Sequence, residues 1–237
     1  MNDREIDELL SRAKFPTGPE AETLERIAGS IAGSMQPSRR LPPRWLLAGT
    51  GALICVGVAL AGAAVLRFSG FVKMGVLERC AVFSTLGILV LNAASELVRA
   101  MIPGSLRRFS SGGLLMVTSL GLVTVLALCF REYQTTQFIH AGLVCLGIGL
   151  LHAIVAGLLS WQVLRRGFAV DAVSAGLAAG TLAGLAGVAM LELHCPNFQA
   201  AHVLVWHLGV LLMSAGVGRL CGWGTTLSSA TRMNRNR

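Results

Sequence analysis

The chain has 237 residues, of which 54% are hydrophobic and 14% charged, where a soluble domain carries about 25% charged residues. Its mean hydropathy of +0.66 excludes a soluble globular enzyme and indicates a membrane protein. The net charge of +8 would suit nucleic acid, but residues 1–44 are charge-balanced and the excess Arg sits in short segments beside apolar runs. There it orients helices, so direct nucleic-acid binding is not expected.

Residues 1–44 form a polar tail that reads as two short amphipathic helices. In the first, Ile6, Leu9, Leu10 and Ala13 recur at helical spacing, with Asp3, Asp7 and Glu8 elsewhere on the wheel. Phe15-Pro16-Thr17-Gly18-Pro19 breaks it. The second begins near Pro19 or Glu20, carries Leu24, Ile27, Ala28 and Ile31, and ends at Pro37. Each is about ten residues, too short to be stable alone in water. The stripe of Ile6, Leu9, Leu10, Leu24, Ile27 and Ile31 must therefore dock on something: the membrane domain, the bilayer surface or a protein partner. No secretory signal is expected, because the first apolar run lies far in and lacks a cleavage site.

Six apolar runs follow, at 45–66, 76–98, 112–130, 138–161, 170–191 and 201–222, and a bilayer core needs about 20 residues per helix. The expected fold is all-α: a polytopic membrane bundle of six transmembrane helices over 45–222, with the tail before it and a basic C-terminal segment, 223–237, after it. Arg39, Arg40, Arg44, Arg99, Arg107, Arg108, Arg165, Arg166, Arg219, Arg232, Arg235 and Arg237 fall on one face. Only Arg67, Lys73, Arg79 and Arg131 fall on the other. The positive-inside rule then places both termini in the cytoplasm of a bacterial inner membrane, with the lipid bilayer as a partner.

Charge is sparse within the runs. Glu78, Arg79, Asn92 and Glu96 lie near the ends of the second, and Glu192 ends the fifth. A proton- or ion-coupled transporter would place a charge mid-span; that absence counts against a small polytopic transporter or channel, which is the alternative reading. His152, alone in the fourth run, reads as a packing residue. Cys55 and Cys145, inside apolar runs, read as small hydrophobes. In the fifth run Gly176, Gly180 and Gly184 repeat every four residues, with a partial counterpart at Gly216, Gly218 and Gly222. Such a face lets a neighbouring backbone approach closely. Packing inside the bundle is the expected use, and a homodimer through this face is the alternative.

The turn after the fifth run carries His194, Cys195, Pro196, His202 and, further on, His207. Cys80, Cys129 and His140 fall at the same ends of their runs. His and Cys can ligate zinc, and an outward Cys can form a disulfide with Cys129 or Cys80. Against a metal, His202 and His207 are five residues apart, about 140° round an α-helix. We expect no metal and no cofactor, and His207 should instead point into the bundle and hydrogen-bond a neighbour. There is no GxSxG, HExxH or Walker loop, so no catalytic residue is assigned and the chain is not expected to be an enzyme.

The Gly-rich fifth run, Leu-His-Cys-Pro at 193–196, Val-Trp-His at 205–207 and the short tail together resemble the NrsF family, the negative regulators of sigma F. The resemblance implies a membrane anti-sigma factor. Its tail would bind an extracytoplasmic-function sigma factor and withhold it from RNA polymerase until an envelope signal acts on the bundle. It also implies a signal-sensing end at His194, Cys195, His202 and His207, with an outward Cys195 meeting an oxidant or a thiophilic metal.

Overall fold

The computed structural model describes residues 21–34, 42–102, 104–106, 108–132, 138–164 and 171–235. The expected first tail helix, with Ile6, Leu9 and Leu10, lies outside them. The second is present as α1, Ala21–Ser34, within a unit distinct from the one that starts at Pro42. Leu24 and Ile27 are exposed on it, one turn apart, and Glu22 pairs with Arg26 at 3.8 Å across i,i+4. That pair, fully solvated, contributes only a few tenths of a kcal/mol. The side chain of Ile31 lies outside the described residues.

The second unit is a helical bundle. In chain order it comprises α2 (Arg44–Leu66), α3 (Ser69–Lys73), α4 (Val76–Met101), α5 (Ser111–Cys129), α6 (Phe138–Leu164), α7 (Ala172–His194), α8 (Ala200–His202), a π-helical segment Val203–His207, and α9 (Leu208–Arg235). Six stretches are long and apolar enough to cross a bilayer, and they coincide with the six apolar runs to within a few residues. Among the described residues the only β-pairing is one isolated bridge, Glu132 with Gln199. The helix ends lie where side chains can satisfy the free N–H groups of a first turn. Glu78 accepts from the Gly75 N–H at 2.8 Å, Ser110 from Gly113 at 3.1 Å, and Asp171 from Ser174 at 3.0 Å.

Helix α7 is the centre. Of its apolar stretch 72% is buried, against 22% for α2, α5 and α6, and it packs on α9, α6, α2 and α4. Its glycines explain how. A Cβ on Gly176 would meet the Gly218 carbonyl, one on Gly180 the Ser214 carbonyl, and one on Gly184 the Leu211 Cα. In return Gly218 meets Gly176 and Gly180, and Gly222 meets Ala172. The small-residue faces of α7 and α9 are thus consumed within one chain, as the expected intramolecular packing requires. On another side of α7, Gly187 meets the Gly149 carbonyl of α6. The outer helices turn Leu53, Val65, Leu128, Ile154 and Leu220 outward, the apolar girdle of a membrane protein.

The end of the bundle near residue 195 is more built than a plain connector. Arg67 closes α2 with φ 77° and ψ 148°, a backbone region that only glycine occupies at ease. The His194 imidazole donates from Nδ1 to the Arg67 carbonyl at 3.1 Å and ties that turn down. The short helix α3, not foreseen in the segment between the first two runs, seats Gly70 against the carbonyls of Glu192 and Cys195, where a Cβ would not fit. Phe198 stacks on Phe130 with centroids 5.1 Å apart, and the Ala200 N–H donates to the Glu132 carbonyl at 2.6 Å.

Candidate functional site

Helix α7 ends at His194 because Pro196 cannot continue it. The chain turns over 195–199 and re-enters the bundle through α8. Cys195 is only 4% exposed. The outward thiol expected from topology is instead folded inward, beneath the turn.

The thiol faces three side chains. The Cys145 sulfur of α6 lies 3.6 Å from it and His202 Nε2 lies 3.7 Å from it. His207 completes the group, and one ligand atom from each of the four falls within 4.8 Å of every other. All described cysteines are free thiols. Neither Cys129 nor Cys80, the disulfide partners the sequence allows for Cys195, is the sulfur beside it; Cys145 is. Cys80 is exposed and Cys129 half-buried.

An α-helix through His202 and His207 would set the two imidazoles about 140° apart. The segment Val203–His207 is a π-helix instead, whose i→i+5 repeat places residues five apart on one face. The two rings meet edge to face with centroids 5.5 Å apart. Trp206 is carried in the same segment and lies on Gly142 of α6, where any side chain would collide with the indole, and its ring contacts Phe138.

His207 is buried and does hydrogen-bond a neighbour: its Nδ1 lies 2.7 Å from Glu192 Oε1. Glu192 is itself 1% exposed, and burying such a carboxylate without a partner would be strongly unfavourable. The second ring nitrogen of His207, Nε2, is buried with no hydrogen-bond partner. Hydrogen bonding to the Cys145 sulfur, and then burial, push the Cys195 thiol above its ordinary value, against the smaller opposing pull of His202 and His207. By itself the site therefore holds a protonated Cys195, not a poised thiolate.

Of the four residues expected at the sensing end, three converge: Cys195, His202 and His207. His194 points away, to Arg67. Two members escaped the sequence reading. Cys145 sits two turns inside α6, where a thiol in an apolar run reads as a small hydrophobe. Glu192, at the end of a run, gave no sign that its partner lay fifteen residues on. His152, by contrast, behaves as a packing residue should, with Nδ1 donating to the Ile148 carbonyl at 2.8 Å.

Neither the curated proteins nor the solved structures compared give a match. The model of the NrsF family, described as negative regulator of sigma F, matches residues 31–225. That match takes in the six apolar helices almost end to end, and the chain therefore belongs to the NrsF family of negative regulators of sigma F.

Proposed function

We propose that this protein is an integral membrane anti-sigma factor and not an enzyme. Its N-terminal tail sequesters an extracytoplasmic-function sigma factor on the cytoplasmic face. A signal in the envelope acts at the opposite end of the bundle and releases it. The observation that carries this reading is the family match across a bundle of six apolar helices. Two features support the direction of action. The Arg excess on one face favours cytoplasmic termini. Helix α1 presents Leu24 and Ile27 to solvent one turn apart, the pattern by which an amphipathic helix enters a partner's groove.

Co-purification tests the partner. The full-length protein, solubilised from membranes that also contain the sigma factor, is expected to retain it through affinity purification, and to lose it with Ile27→Asp. Recovery of the intact membrane protein without the sigma factor would count against the reading. The sensing end is tested separately. With Cys195→Ser, the envelope response should be lost while repression persists, and an unchanged response would remove Cys195 from the signal path.

A further inference from the structure

We propose that Cys145, Cys195, His202 and His207 form a binding site for one zinc ion, with Glu192 as the carboxylate that orients His207. The inference concerns the bundle alone and stands whether or not the sigma-factor reading holds.

Two of the donor-to-donor distances match the edges of a zinc tetrahedron. With Zn–S of about 2.3 Å and Zn–N of about 2.0–2.1 Å, a tetrahedron places two sulfurs about 3.8 Å apart and a sulfur and a nitrogen about 3.6 Å apart. The Cys145 and Cys195 sulfurs are 3.6 Å apart, and Cys195 Sγ and His202 Nε2 are 3.7 Å apart. Both distances lie in the range of sulfur hydrogen bonds and also match edges of a coordination tetrahedron. All four ligand atoms lie within 4.8 Å of one another, so closing round an ion needs side-chain shifts and no movement of the helices.

The tautomer is already set. Glu192 engages His207 at Nδ1, which leaves Nε2 to ligate, and Nε2 is the ring nitrogen that lacks a partner. A carboxylate on the far nitrogen of a ligating His is the usual outer support of a zinc site. A buried ring nitrogen without a partner is unfavourable, and ligation would satisfy it. The π-helical segment supplies independent support. It is the device that turns His207 onto the face of His202, and such segments are frequent at functional sites.

Charge also closes. Binding displaces one proton from each thiol to the medium, since zinc deprotonates a coordinating thiol outright. A Zn2+ ion with two thiolates is neutral, and the two imidazoles are neutral ligands. The metal with its four ligands is thus neutral, and the Glu192 carboxylate keeps its hydrogen bond from the His207 Nδ1–H. Two thiolates with two imidazoles favour zinc over magnesium or calcium, which take oxygen ligands. Four protein ligands leave no open position, so the site is structural or sensory, not catalytic.

Cobalt is the direct probe. The full-length protein in detergent micelles, reduced and stripped with a chelator, is titrated with Co2+ and then with Zn2+. One Co2+ per chain is expected, with the thiolate-to-cobalt charge-transfer band and ligand-field bands of a tetrahedral site, all displaced by one equivalent of Zn2+. Cys145→Ser should weaken the charge-transfer band. Glu192→Gln should keep the tetrahedral spectrum and bind about 10–100-fold more weakly. Monodisperse reduced wild-type protein that binds no Co2+, or binds it with an octahedral spectrum, would overturn the site, and this result needs no variant to fold. A Cys145→Ser spectrum identical to wild type would overturn the assignment of the ligands, and an undiminished affinity in Glu192→Gln would overturn the role of Glu192.

Discussion

Glu192 and His207 face each other at 2.7 Å, each about 1% exposed. Removing one partner of such a pair leaves the other buried and unmatched, at a cost of about 3–5 kcal/mol. Glu192→Ala should therefore lower the unfolding temperature of the detergent-solubilised protein sharply, whereas Glu22→Ala in the solvated pair on α1 should leave it unchanged. Equal effects would contradict the burial argument. Cys195 gives a pH dependence. Its thiol is raised above the ordinary value of 9.0 in the folded chain, so the native state holds that proton more tightly than the unfolded state does. The associated stability is fully present below pH 9.0 and is lost as pH rises through the folded value. Metal-free protein should lose thermal stability in alkali, and Cys195→Ser should flatten that slope. Arg67, at φ 77°, offers a third test: Arg67→Gly should gain about 1 kcal/mol by relieving backbone strain, read as a raised unfolding temperature.

At the scale of elements, the seam between α7 and α9 depends on the absence of side chains. Gly180 faces the Ser214 carbonyl and Gly218 faces the backbone at Gly176 and Gly180. Backbone atoms cannot step aside as a flexible side chain can. Gly180→Val should cost at least the 1–3 kcal/mol typical of overpacking, with loss of monodisperse protein on size-exclusion chromatography. Gly216→Ala, where nothing lies within 4 Å of a built Cβ, should be tolerated. The seam was legible in advance because a repeat of every four residues maps directly onto one helix face. The cluster at the far end of α7 was not. Its geometry depends on one π-helical turn, and Val203-Leu204-Val205-Trp206-His207 has the same apolar pattern in a π-helix as in an α-helix. Periodicity placed His202 and His207 apart, and only the local i→i+5 register brings them together. Cys145 was missed for a related reason: a thiol in an apolar run looks like any small core residue until the helix that faces it is known.

On the scale of the whole molecule, the polar groups divide into two populations far apart in the sequence. Cys145, Glu192, Cys195, His202 and His207 gather under the 195–199 turn. The amphipathic α1 belongs to a different unit, lies within the family match only from residue 31 onward, and keeps Leu24 and Ile27 exposed. The six apolar helices were legible from length and hydropathy alone, because a bilayer imposes a simple rule on both. The proposed function divides the labour between a receiving end and a partner-binding end. The most direct test reads transcription from a promoter of the cognate sigma factor in cells carrying Leu24→Asp or Ile27→Asp. The account predicts that each variant remains in the membrane fraction at wild-type level and that the promoter is active without any inducing signal. Full repression by both membrane-inserted variants would contradict it.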